Sequence, residues 1–321
     1  MELCVMSPVL NSMGLEGALK YLNLLDVRCM ELGVGGYPGK DLCDAADYLA
    51  NPEKIENLKK LLEKYNVKIS ALACHGNPVH PNKETAKAFH DDFVAAMKLA
   101  AKLGVETIVG FSGCPGDCEN SKNPNWVTCA WPTEYGEILE WQWNEVLIPY
   151  WKKTAELAKE IGIKKIAFEM HPGFCVYNPE TLLRLRAAVG DIIGANFDPS
   201  HLFWQGIDPV YAIKELKGAI HHFHAKDTKI DEFKKRTNGV LDTKSLALLA
   251  DRTWIFRTIG YGHGADVWND IISTLKICGY DGVVSIEHED GLMSPKEGLE
   301  KAVDFLKKVL IYENAEGMWW T

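Results

Sequence analysis

Short apolar runs alternate with amphipathic stretches along the whole chain. The apolar runs fall at about 2–6 (ELCVM), 28–33 (RCMELG), 67–73 (VKISALA) and 106–111 (ETIVGF), then at about 164–170 (KKIAFEM), 192–197 (IIGANF), 219–225 (AIHHFHA) and 283–287 (VVSIE). Their lengths and β-branched or aromatic content predict strands. Helical spacing follows each one, as in LKKLLEKY after Pro52, the stretch from Thr85 to Leu103, and EGLEKAVDFLKKVLIY after Pro295. Eight strands that each feed a helix predict an α/β fold, a (β/α)8 TIM barrel, because right-handed crossovers place every helix outside the sheet. An open doubly wound sheet competes, but SPVLNSMG after the first strand carries no GxGxxG turn. The pattern shows no linker, so residues 1–321 are expected to form a single TIM-barrel domain. Two stretches exceed ordinary loop length, at about 112–136 and 228–256, and long ordered barrel insertions commonly serve as lids or binding loops.

Composition narrows the functional classes. The chain has 321 residues, 47 % of them apolar, which is enough for a large core. Its formal charge of −9, with lysines scattered among acidic residues as in KIENLKKLLEK, excludes a basic stripe for nucleic acid. MELCVMSPVL lacks the charged start and long apolar centre of a secretory leader, and no apolar run is long enough for a membrane span. The nine cysteines are an odd number, and Cys4, Cys29, Cys175 and Cys278 lie in core-like segments. Reduced thiols in a cytoplasmic protein are therefore expected. Cys114, Cys118 and Cys129 lack CxxC spacing and are not expected to hold zinc. The tail ENAEGMWWT is expected to dock on the barrel or on a neighbouring subunit, which leaves a homo-oligomer or a small partner subunit open.

Barrel chemistry is placed where strands end. Strand three ends in ALACHGNP with His75, strand five in FEMHPG with Glu169 and His171, and strand six in NFDPSHL with Asp198 and His201. Strand seven ends in HHFHAKD with His222, His224, Lys226 and Asp227, and strand eight in SIEHED with Glu287, His288, Glu289 and Asp290. Period-two alternation groups His222 with His224 and Lys226, and Glu287 with Glu289. Taken alone, an acidic residue at a strand end is usually a cap, and Asp198 before Pro199-Ser200 has that form. One carboxylate or imidazole at each of four strand ends is a different matter. Glu169, Asp198, His224 and Glu287 make a mixed oxygen and nitrogen donor set for a divalent metal, with Mn²⁺ expected and Co²⁺, Mg²⁺ or Zn²⁺ as alternatives. His221 and His222 are read as structural or supporting residues.

At these residues the chain resembles the xylose isomerase-like superfamily, specifically the sugar phosphate isomerase/epimerase family with its ketose 3-epimerases and inosose-processing enzymes. The likeness covers nearly the whole chain and rests on FEMHP, NFDPSHL, HFHAKD, FRTIGYGHGADVW and GYDGVVSIEHED. It implies metal ligation by Glu169, Asp198, His224 and Glu287, and substrate contacts from His201 and Arg257. His171, Lys226 and His75 are further candidates for the substrate wall. In the ketose epimerases the two metal-bound glutamates also move the substrate proton, so the resemblance implies catalytic roles for Glu169 and Glu287. The span from His224 to Arg257 is longer here than in typical ketose epimerases, and PNWVTCAWP with EWQWNEVLIPYW adds Trp126, Trp131, Trp141, Trp143 and Trp151.

The expected reaction is therefore isomerisation or epimerisation of a ketose or oxo-sugar through an enediolate, with one carboxylate removing an α-proton and a second returning it. The alternative is β-elimination from a 3-oxo-glycoside, as in the C-glycoside deglycosidases. Their catalytic subunits share the general plan and metal set, and the tryptophans would face a bulky aglycone or simply pack the loops. A metal-dependent endonuclease is disfavoured by the acidic charge, and a non-catalytic sugar-binding protein has little need of four convergent ligands. No phosphate-cradling glycine loop follows the last two strands, so an unphosphorylated small-molecule sugar is expected.

Overall fold

A computed structural model describes residues 1–315, 317–318 and 320. The strands are β1 (Glu2–Met6), β2 (Cys29–Gly33), β3 (Lys68–Ala73), β4 (Thr107–Gly110), β5 (Lys165–Glu169), β6 (Ile193–Phe197), β7 (Ile220–Ala225), β8 (Asp227–Ile230), β9 (Trp254–Arg257) and β10 (Val283–Ile286). Eight of them close a barrel in the order β1-β10-β7-β6-β5-β4-β3-β2, and β1 and β10 seal it in parallel with Glu2 opposite Val283 and Val5 opposite Ile286. The expected (β/α)8 architecture is what forms. Each expected barrel strand is present, most of them a residue shorter at one or both ends.

The strands sort their residues by alternation. Outward positions such as Leu32, Leu72, Ile108, Ile166, Phe168, Phe197, Phe223 and Ile286 are buried against the helices and belong to the main apolar core. Phe197 and Phe223 stack with centroids 5.5 Å apart, joining β6 to β7. Ala71, Val109 and Ala167 form a separate small apolar cluster. They alternate with the outward residues of β3, β4 and β5, so they fill the interior of the barrel. Buried polar and charged side chains, among them Glu31, Asn196 and His224, share that interior.

The helices begin and end where local chemistry dictates. Asn82 accepts from the amides of Glu84 and Thr85, so the helix expected from Thr85 starts at Lys83 and runs to Leu103. Ser294 caps the helix Pro295–Val309, which buries Leu299, Val303 and Leu306 and stops short of Ile311 and Tyr312. Each such buried leucine contributes roughly 1.5–3 kcal/mol. Trp320 is 66 % exposed, while Trp319, the other tryptophan of the tail, lies outside the described residues. No helix among the described residues is long and apolar enough to cross a membrane.

The two long insertions differ. Residues 228–256 contain most of an antiparallel hairpin in which β8 pairs with β9, Asp227 opposite Arg257, with the helix Glu232–Asn238 in the connection. Trp254 of β9 stacks on Trp204 at 4.6 Å with planes 7° apart, fastening the hairpin to the barrel. Residues 112–133 form no helix or strand. Side chains pin that loop instead: Gln142 Nε2 donates to the carbonyls of Gly116 and Asn125, and Asn77 exchanges two hydrogen bonds with the backbone of Cys114. Trp143 and Trp151 are core residues, and Trp151 Nε1 donates to the Ser112 carbonyl at 2.7 Å. Trp126 meets Tyr177 edge-on, and Trp131 is 76 % exposed. All nine cysteines are unpaired.

Candidate metal centre

The carboxyl ends of four barrel strands bring ionisable side chains together. Donor atoms of Glu169, Asp198, His224 and Glu287 all lie within 4.8 Å of one another. Glu169 is the last residue of β5, Asp198 follows β6, His224 lies near the end of β7, and Glu287 follows β10. His224 Nδ1 stands 3.2 Å from Glu169 Oε2 and 3.1 Å from Glu287 Oε2. Asp198 divides its two oxygens. Oδ1 accepts from the Ser200 amide at 2.8 Å and so caps the helix Pro199–Gln205, while Oδ2 is buried and takes no hydrogen bond. Lys226 Nζ is 3.1 Å and His201 Nε2 3.4 Å from that oxygen, close but outside hydrogen-bond geometry.

Two of the expected substrate-wall residues sit against the same group. His201 Nε2 is 2.9 Å from Glu169 Oε1, and Lys226 Nζ reaches Glu287 at 2.7 Å and Glu289 at 2.9 Å. His75 Nε2 lies 3.3 Å from Glu169 Oε2, and the His171 ring centroid is 4.2 Å from that of His201. Arg257 stands apart from these contacts. Its Nε donates to Asp290 at 2.9 Å, and its guanidinium lies 5.4 Å from the Tyr261 ring.

A cavity of about 410 Å³ opens beside the cluster, with Glu287, His75, His171, Tyr37, Phe111 and Phe174 in its wall. The Phe111 and Phe174 rings stack at 4.3 Å, which gives the wall a flat apolar face suited to sugar C–H groups. Glu287 is the most accessible of the four candidate ligands, with 16 % of its side chain exposed against 2 % or less for Glu169, Asp198 and His224.

Electrostatics show how crowded the centre is. Burial pushes the Glu169 carboxyl up, but the adjacent His201, His224 and His75 rings and the Lys226 ammonium together outweigh it and hold the group well below the usual range. Burial likewise opposes ionisation of Glu287, and the Lys226 ammonium and His224 together more than offset it, so Glu287 is also lowered. Asp198 is raised, because burial exceeds the attraction of Lys226 and His201. Burial lowers His171 to about 3, keeping it neutral.

Sequence reasoning missed Glu31, which is fully buried on β2 and faces the other ring nitrogen, His224 Nε2, at 2.9 Å. It also missed Asn196, which bridges His222 Nδ1 at 3.0 Å and Glu169 Oε2 at 3.4 Å. Asp227, noted only as a strand-end acid, organises the GYGHG segment. It accepts from the amides of Thr228, Gly260, Gly262 and His263, from His263 Nδ1 and from Trp268 Nε1. A Cβ at Gly262 would lie 2.4 Å from both Asp227 Oδ1 and the Thr228 carbonyl, so only glycine fits there. The amides such a segment could turn to an anion are taken by an internal carboxylate.

The residues pass a simple test for a divalent cation. Three candidate carboxylates and an imidazole converge in a buried space, one carboxylate oxygen is orphaned there, and hard oxygen with imidazole is a donor set that suits such ions. The closed parallel barrel with a candidate donor group at the carboxyl ends of its strands places the chain among the TIM barrels. The family model for the xylose isomerase-like TIM barrel matches residues 23–309, and the chain belongs to that family. The Bacillus subtilis protein YfiH is 39 % identical over 312 residues, covering 97 % of this chain and 99 % of that protein. An inosose dehydratase of Clostridium perfringens is 28 % identical over 293 residues, 89 % of this chain and 90 % of that enzyme. In fold the chain is similar to a D-tagatose 3-epimerase-like protein, with a TM-score of 0.61 and 22 % identity over 96 % of this chain and 98 % of the other.

Proposed function

We propose that the protein is a metal-dependent sugar isomerase or epimerase that moves a proton next to a carbonyl group through an enediolate. The observation that carries this reading is the pairing of Glu169 and Glu287. They stand on strands three steps apart round the barrel, and each has an oxygen within about 3.2 Å of His224 Nδ1. Glu169, Asp198, His224 and Glu287 would hold the cation, with Mn²⁺ the preferred ion. A divalent cation there supplies Lewis-acid stabilisation of negative charge developing beside a carbonyl. One glutamate removes the α-proton and the other delivers a proton to the opposite face for epimerisation, or to the adjacent carbon for isomerisation. His201 and Lys226 bind substrate oxygens, His75 and His171 line the approach, and Arg257 contributes from the hairpin. Phe111 and Phe174 seat the apolar face of an unphosphorylated ketose or oxo-sugar and exclude water. The whole chain acts as one unit, and its nine unpaired thiols fit the reducing cytoplasm.

A second reading shares the first proton removal and then expels a β-substituent. The inosose dehydratase relative favours it, since dehydration is elimination of water. Incubating the Mn²⁺-loaded enzyme in D₂O with a panel of free ketoses and 3-oxo-glycosides tests both. Deuterium should enter the α-carbon, with a product of unchanged mass in H₂O for the isomerase or epimerase. Release of an aglycone or water with an unsaturated product would replace that reading by elimination. A redox change, or turnover of a ketose without any exchange, would defeat the proton-transfer account itself.

A further inference from the structure

Glu31 lies outside the four-residue donor group, and nothing in the proposed proton transfer uses it. Its side chain is fully buried inside the barrel. Both of its oxygens face His224 Nε2, at 2.9 and 3.1 Å, and Ser285 Oγ donates to Oε2 at 2.7 Å. Ser285 and His224 sit opposite one another in the parallel register of β10 and β7, so Ser285 arrives beside the imidazole with the same strand that brings Glu287. Glu31 reaches the pair from β2, three strands round the barrel from β7. The opposite ring nitrogen, Nδ1, is the atom that faces Glu169 and Glu287.

An imidazole that ligates a cation must present a lone pair on one nitrogen and carry its proton on the other. An ionised carboxylate can only accept, so Glu31 dictates which nitrogen carries the proton. We propose that Glu31, steadied by Ser285, is a positioning residue that holds His224 as the Nε2–H form and so aims an Nδ1 lone pair at the cation. The inference rests on the reading that Glu169, Asp198, His224 and Glu287 bind a divalent cation. A carboxylate kept only for structure predicts otherwise, because burying it is costly and an isosteric apolar side chain is then tolerated or stabilising.

Full-length wild type, Glu31→Gln and Glu31→Leu are compared by competition of a chromophoric chelator for Mn²⁺. Glu31→Leu should weaken Mn²⁺ binding by about 10–100-fold, the usual cost of losing such a partner to a ligating histidine. Glu31→Gln should recover binding to within a few-fold of wild type, because its amide oxygen still accepts from Nε2–H. Nitrogen-15 NMR of wild-type protein loaded with Zn²⁺ should show the His224 proton on Nε2, and this readout stands even if Glu31→Leu does not fold. Wild-type affinity in Glu31→Leu, or a His224 proton on Nδ1, overturns the proposal while leaving the cation site intact. Absence of Mn²⁺ binding by wild type instead overturns the cation reading beneath it.

Discussion

Replacing Asp227 by Asn exchanges one carboxylate oxygen for an NH₂ donor and tests whether a single buried carboxylate holds the hairpin and the GYGHG segment together. Oδ2 accepts from the amides of Gly260, Gly262 and His263 and from Trp268 Nε1, at 2.8–3.2 Å. Oδ1 accepts from the Thr228 amide at 2.8 Å and from His263 Nδ1 at 2.7 Å. Asparagine keeps an acceptor on one side only. With the carbonyl turned to the four donors, its NH₂ confronts Thr228 N–H and His263, and two charge-assisted bonds are lost. At about 1.5–3 kcal/mol each, the loss is about 3–6 kcal/mol, since the side chain is fully buried and water does not replace the partners. Equilibrium urea unfolding of wild type and Asp227→Asn measures it, with unchanged far-UV circular dichroism as the control for fold. A difference below about 0.5 kcal/mol, the range of an ordinary surface substitution, would show that the carboxylate does not hold the two segments together.

Two further outcomes follow from the packing. Trp151→Phe should cost about 2–4 kcal/mol in the same urea assay, because it strands the buried Ser112 carbonyl and leaves a small void beneath the 112–136 loop. The neutral His221 ring packs over Gly194, and burial lowers its pKa to about 4 from an unfolded value near 6.5. The unfolded chain then binds the extra proton between those limits. The contribution of His221 to stability is fully present above pH 6.5 and is lost as pH falls toward 4. His221→Gln should flatten that part of the stability-against-pH curve, and an unchanged slope would contradict the assignment.

Much of the fold was legible because the barrel strands are local signals. KKIAFEM, IIGANF and VVSIE each announce a strand without knowledge of its neighbours, and the helical spacing between them fixes the crossovers. The β8–β9 hairpin was not legible. DTKI is four residues with little alternation, and its partner WIFR lies more than twenty residues on, so the pairing is a long-range fact. At the site, residues at strand ends could be read as a convergent group, since topology brings strand ends together whatever the register. Glu31 escaped because it sits within a strand rather than at its end. The signal was present all the same: an ionisable residue inside the apolar run CMELG is almost never buried without a partner. Asn196 in IGANF carries the same signal more weakly. Arg257 reads as a pocket residue from its resemblance to the family, yet its Nε is turned to Asp290, a partner that local sequence does not reveal.

Metal analysis of Asp198→Asn against wild type decides whether Glu169, Asp198, His224 and Glu287 bind a divalent cation. Asparagine preserves the oxygen that caps Ser200 and removes the anionic Oδ2 that faces the cluster, so it separates the structural role from the ligating one. After chelator treatment and incubation with Mn²⁺, wild type should retain one cation per chain through gel filtration. Asp198→Asn should fold, unfold at a similar urea concentration, and retain none. Equal Mn²⁺ occupancy in the two proteins would show that these four residues do not form the cation site.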